Sequence, residues 1–87
     1  MVAEVSMRTG IPVEVILGRK RTPIVVCARQ LYWKLLRRRR LTFREISELC
    51  DRDTSTISIG VNRIEGLLQS GDKLATDMWT LIKDIDR

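Results

Sequence analysis

Between Leu41 and Gln69 local chemistry marks out two helices and the turn between them. Thr42-Phe43-Arg44-Glu45 has the spacing of a capping box, in which a threonine hydroxyl and a glutamate three residues on each take up a free N–H at a helix start. Leu41 and Ile46 flank it as a hydrophobic staple. The spacing predicts a helix from Thr42 through Ile46, Leu49 and Cys50, stopped at Asp51-Arg52. Asp53 then stands as N-cap for Thr54-Ser55-Thr56 and a second helix to about Gln69. At about 100° per residue, Ile57, Val61, Ile64 and Leu68 fall on one buried stripe, while Ser55, Ser58, Ile59, Asn62 and Gly66 face the other way. A short capped helix, a tight turn and a second helix opening on small polar residues have the layout of a helix-turn-helix.

The rest of the chain reads as further helices. Val2 to Arg8, with Val2, Val5 and Met7 as its apolar residues, is a short helix ended by Gly10. Pro12 suits the first turn of a second, running through Leu17 and closed by Gly18. Arg19 to Thr22 is a basic loop, and Pro23 opens the longest helix, to about Arg38. In that helix Val26, Gln30, Trp33 and Arg37 form one stripe, with Ile24, Cys27, Leu31, Leu35 and Leu36 toward the buried side. Ser70-Gly71-Asp72 breaks the chain, and Leu74, Met78, Leu81, Ile82 and Ile85 mark a closing helix over the core. The expected fold is all-α: one domain over residues 1–87, a compact bundle of about six helices containing the helix-turn-helix.

Composition narrows the function classes. An apolar share of 44% with 31% charged residues fits a globular chain rather than a disordered one. No apolar run approaches the roughly 18 residues of a membrane span, and no basic stretch leads into an apolar one at the N-terminus, so a cytoplasmic address is expected. Cys27 and Cys50 can form one disulfide, but as residues of helical segments in a cytoplasmic chain they read as buried free thiols. With no histidine and no CxxC pair a metal site is not expected, and neither is any other cofactor or small-molecule substrate. Without histidine or clustered carboxylates the usual acids, bases and activated nucleophiles are missing, so the chain does not read as an enzyme.

The charge is polarised. Residues 1–44 carry eleven Lys and Arg against two acids, a net +9, whereas residues 45–87 carry five against nine, a net −4. Ten basic residues and no acid lie between Arg19 and Arg44, a concentration suited to releasing counterions from a polyanion. Arg37-Arg38-Arg39-Arg40 taken alone is equally a solvated basic face; Arg19-Lys20-Arg21 tips the reading toward nucleic acid. In a helix-turn-helix the N-terminal residues of the second helix meet base edges in the major groove, where short polar side chains let the backbone approach. Thr54, Ser55 and Ser58 meet that need, and Ile59, pointing away from the expected core, suits a thymine methyl. Serine and threonine are also simply common near helix starts, where Thr56 serves as support for the cap.

Nearly the whole chain, from Val2 to about Leu68, resembles the C-terminal DNA-binding domain (domain IV) of the bacterial replication initiator DnaA. Val13-Glu14-Val15-Ile16-Leu17-Gly18-Arg19-Lys20-Arg21 is similar to that family's short helix and basic loop, and Ala28-Arg29-Gln30 to the end of its Arg-Pro-Arg-Gln stretch. Leu41-Thr42-Phe43-Arg44-Glu45-Ile46 is similar to the opening of its first motif helix. Its signature Gly-Gly-Arg-Asp-His-Thr-Thr-Val corresponds to Cys50-Asp51-Arg52-Asp53-Thr54-Ser55-Thr56-Ile57, followed by Arg63-Ile64-Glu65. The likeness implies base reading by Asp53, Thr54 and Ser55, to which the reading of the helix itself adds Ser58 and Ile59. It implies backbone or minor-groove contacts by Arg19, Lys20, Arg21, Arg29 and Arg52, and Gln30, Thr56, Asn62 and Arg63 are further candidates for such contacts. It further implies double-stranded DNA as partner, bound by a monomer at the nucleoid. Thr54 stands where the family has its base-contacting histidine, Ile59 replaces a second histidine, Cys27 replaces an arginine and the glycine pair of the turn is gone, so the family's usual target box is not implied. No Gly-x-x-x-x-Gly-Lys-Ser/Thr segment is present for nucleotide hydrolysis. Alternatives are a protein-interaction module on the same scaffold, with the arginines meeting an acidic partner, and charge-only binding to double-stranded RNA or a membrane surface.

Overall fold

Every punctuation mark read from the sequence separates two helices in the computed structural model, which describes residues 1–85. Asp86 and Arg87, included in the domain 1–87, lie outside the described residues. The helices are α1 (Val2–Thr9), α2 (Val13–Ile16), α3 (Pro23–Arg38), α4 (Phe43–Cys50), α5 (Thr54–Gln69) and α6 (Lys73–Ile82), with no strand among the described residues. The fold is therefore the expected all-α bundle. Gly10 and Gly71, at φ 76 and φ 78, end α1 and α5 in the left-handed conformation that glycine adopts without strain. Gly18 works differently. Its φ is not positive, but a β-carbon there would stand 2.8 Å from the Glu14 carbonyl oxygen, so glycine is needed for close approach.

The capping box is present as its spacing requires: the Glu45 amide donates to Thr42 Oγ1 at 3.1 Å and the Thr42 amide to Glu45 Oε1 at 2.8 Å. α4 ends on Asp51, left-handed at φ 54 and ψ 52; aspartate tolerates this conformation better than most side chains, which lets the turn form without a glycine. Asp53 occupies the N-cap position of α5, yet its side chain accepts no backbone hydrogen bond there. The expected cap is thus positional only, and α5 is held by the burial of Ile57, Val61 and Ile64. Asp72 does cap α6, accepting from the Ala75 amide at 3.0 Å.

α3 is the axis of the bundle, in contact with all five other helices. A helix with neighbours on several sides buries most of its circumference, which overturns the single-stripe expectation. Trp33 is 4% exposed and Ile24, in the first turn, 54% exposed. α5 equals α3 in length at 16 residues. In α6 the buried positions are Ala75, Met78 and Ile82; Leu74 and Leu81, expected in the core, are exposed, while Ile85 is buried in the turn that follows. Met7 and Leu49 are likewise exposed. No helix among the described residues is long and apolar enough to cross a membrane.

Candidate functional site

Arg29 ties the basic loop 19–22 to α2 and α3. This residue sits in the second turn of α3 and is 6% exposed, its guanidinium turned back toward α2. It donates from Nε to the Ile16 carbonyl at 2.8 Å, from Nη2 to the Val15 carbonyl at 3.0 Å and from Nη1 to the Lys20 carbonyl at 2.9 Å. Val15 and Ile16 close the short helix α2, where the Val15 carbonyl also accepts from the Gly18 amide at 3.2 Å, and a planar fork of donors can satisfy several terminal carbonyls at once. Arg29 is expected from the sequence to touch a DNA backbone; in the structure it is buried, with each guanidinium nitrogen donating to a carbonyl of α2 or of the loop.

Two more arginines join this loop to the turn between α4 and α5. Arg52 donates from Nη2 to the Gly18 carbonyl, and Arg19 from Nη2 to the Asp51 carbonyl at 3.4 Å. The Ser47 hydroxyl in turn donates to the Arg52 carbonyl, holding the turn against α4. Burial lowers the pKa of Arg29 below the ordinary guanidinium value, and the like charges of Arg52, Arg21 and Arg19 lower it further. Arg52 is lowered by burial and by Arg19, with Cys50 and Asp51 opposing. Like charges thus crowd around Arg29 and Arg52, and the Asp51 carboxylate offsets part of this at Arg52.

Loop, turn and helices enclose a cleft of about 1130 Å³. Arg19 and Arg21 form part of one wall; Arg52, Asp53, Thr56, Ile59 and Arg63 bring the turn and the N-terminal half of α5 to the same cavity, with Gln30 between. The first turn of α5 is open, with Thr54, Ser55 and Thr56 all exposed, and Ile59 is 65% exposed. Not every expected residue converges. Lys20, Thr54, Ser55 and Ser58 do not line the cleft, and the Ser58 hydroxyl donates to the Ser55 carbonyl at 3.1 Å. Asn62 belongs to another groove, of about 710 Å³, beside Lys34, Arg38 and Trp79.

Sequence reasoning missed the cleft's apolar floor, which Pro23, Val26, Leu67 and Leu74 build from three helices, and the carboxylates of Glu48 and Asp72 at its edge. No local pattern joins these positions, because they come together from separate helices. Chemically, the site offers guanidiniums able to grip phosphate or carboxylate oxygens in pairs, next to an open helix N-terminus. Among the described residues no group of three or more His, Cys, Asp or Glu is placed to hold a metal ion. No family model, no curated protein and no solved structure matches the chain.

Proposed function

We propose that the chain binds double-stranded DNA, with α4 and α5 as a helix-turn-helix, the N-terminal half of α5 in the major groove and the basic loop on the adjacent backbone or minor groove. One observation carries this reading: Arg19 and Arg21 of the loop line the same cleft as Thr56, Ile59 and Arg63 of α5, so a single duplex meets both surfaces together. The hydrogen bonds of Arg52 to Gly18 and of Arg19 to Asp51 fix that juxtaposition before any partner arrives. Lys20 and Arg21 supply charge to phosphates, while Thr54 and Ser55, exposed at the helix tip, are the base readers. The resemblance to the initiator's domain adds replication initiation or its regulation as the process served, by a cytoplasmic, nucleoid-associated monomer without catalytic activity.

The test is selection of bound sequences from a random duplex pool, paired with titrations over a range of salt. A preferred sequence emerges, and Thr54→Ala or Ser55→Ala changes the preference by about 1–3 kcal/mol at one base pair. Affinity falls as a power of salt concentration, with a slope reduced by about one in Arg21→Ala. A flat salt response removes the electrostatic part of the reading, and identical selection profiles for parent and variants remove the groove-reading part.

A second reading, a protein-interaction module, is favoured by the apolar floor of the cleft, where Ile59 and Leu74 are exposed beside Pro23 and Val26. The carboxylate of Asp53 in the same cleft repels a phosphate backbone unless it accepts from a base. Selection that yields no preferred sequence, together with affinity for acidic apolar peptides, supports that reading over the first.

A further inference from the structure

The arginine run at residues 37–40 takes no part in the cleft. α3 has 16 residues and so is about 24 Å long at about 1.5 Å per residue, in a body measuring 29 × 28 × 26 Å. The basic loop lies at its N-terminal end and the arginine run at its C-terminal end, so two basic clusters occupy opposite poles of the molecule. Within the run the four side chains differ. Arg37 donates to the Leu41 carbonyl at 2.9 Å with its guanidinium 4.4 Å from the centre of the Phe43 ring, and Arg38 donates to the Lys83 carbonyl at 2.9 Å over Trp79. Both are engaged in holding the end of α3 to its neighbours.

Arg39 and Arg40 are different: both are exposed, and neither side chain has a hydrogen bond or ion pair to a described residue. Arg40 adopts φ 70, a left-handed conformation in which glycine or asparagine would serve the fold better, yet an arginine stands there. Arg44, in the first turn of α4, is exposed beside them and paired only with Glu48 at 3.5 Å, a surface pair of little energetic weight. Arg39, Arg40 and Arg44 are thus three exposed guanidiniums within six consecutive positions, held by nothing stronger than one surface ion pair.

We propose that Arg39, Arg40 and Arg44 form a second polyanion-binding surface, which takes the phosphate backbone of a second DNA duplex so that one copy of the chain bridges two duplexes. The inference rests on the reading that the cleft holds the first duplex. DNA is stiff, with a persistence length of about 150 base pairs, so a duplex seated across the loop end of α3 does not bend round the body to reach the other end. Contact at this pole is with phosphates alone and carries no sequence preference.

The experiment uses the full chain, one duplex fixed to beads and a second, labelled duplex in solution. The parent protein draws labelled duplex onto the beads at low salt. Arg39→Gln combined with Arg40→Asn, where asparagine keeps the left-handed turn, reduces that recovery about tenfold or more, while affinity for a single duplex and its salt slope stay within about twofold. Unchanged recovery by the double variant overturns the proposal. So does a fall of about two in the single-duplex salt slope, which puts these arginines on the same duplex as the cleft. Absence of bridging together with binding of the parent, but not the variant, to phosphatidylserine vesicles overturns it in favour of a membrane surface. Failure of the cleft reading itself registers separately, as single-duplex binding that Arg21→Ala leaves unaltered.

Discussion

Gly60 lies flat against the indole of Trp33: a β-carbon built on it would come within 2.5 Å of Trp33 Cζ3 and 2.8 Å of Cε3. This contact lets α5 approach α3 closely enough for Thr56, Ile59 and Arg63 to face the loop at the start of α3. Trp33 is buried in the core, which leaves it little room to swing aside. Gly60→Ala therefore loses about 1–3 kcal/mol to overpacking, despite the better helix propensity of alanine. Gly66, in the same helix, meets nothing within 4 Å, and Gly66→Ala gains about 0.5–1 kcal/mol. Urea unfolding of the two variants gives shifts of opposite sign; a stabilised Gly60→Ala would contradict the packing described.

Arg29→Ala removes three donors and leaves the carbonyls of Val15, Ile16 and Lys20 without them, for a loss of about 2–4 kcal/mol. Arg29→Lys restores the charge but not the fork, and recovers less than half of that loss. Hydrogen exchange at the amides of residues 18–22 quickens in both variants. Wild-type protection in Arg29→Lys would mean that charge alone organises the loop.

α4 and α5 differ in how they begin. Thr42→Ala breaks a complete capping box and destabilises by about 1 kcal/mol. Asp53→Ala removes no cap hydrogen bond and changes stability by only about a few tenths of a kcal/mol, through the helix dipole. Thermal melts of the two variants separate these values, and equal losses would show that Asp53 caps α5 in solution.

Burial raises the Cys27 thiol from its ordinary 9.0 to about 11, with Asp72 adding to the shift. Burial also raises Cys50, against the opposing effect of Trp33 and Arg52, and raises Tyr32 to about 12, with Cys50 contributing. These groups are neutral when protonated, so a raised folded pKa favours the folded chain at low and neutral pH. The contribution is whole below 9.0 and is lost as pH rises through about 11. Melting temperature is level near neutrality and falls above about pH 9, less steeply in Cys27→Ala. A thiol reagent at about pH 8 labels both cysteines only at the rate of unfolding; immediate labelling would contradict the burial of the two thiols.

What could be read in the chain before folding was its punctuation. Gly10, Pro23, the Thr42-to-Glu45 box and Gly71 place helix ends through interactions that reach three or four residues, and the stripe Ile57, Val61, Ile64 declares the buried side of α5 through a period of the same reach. These effects are local, so the order of residues is enough to determine them. The inward turn of Arg29 and the seating of Trp33 on Gly60 are of another kind, as is the tie from Arg52 to Gly18, 34 residues away. An arginine in a basic segment looks the same on paper whether it meets solvent or three carbonyls. The choice was made by which backbone groups the packed helices left without partners, and that is a property of the assembled bundle alone.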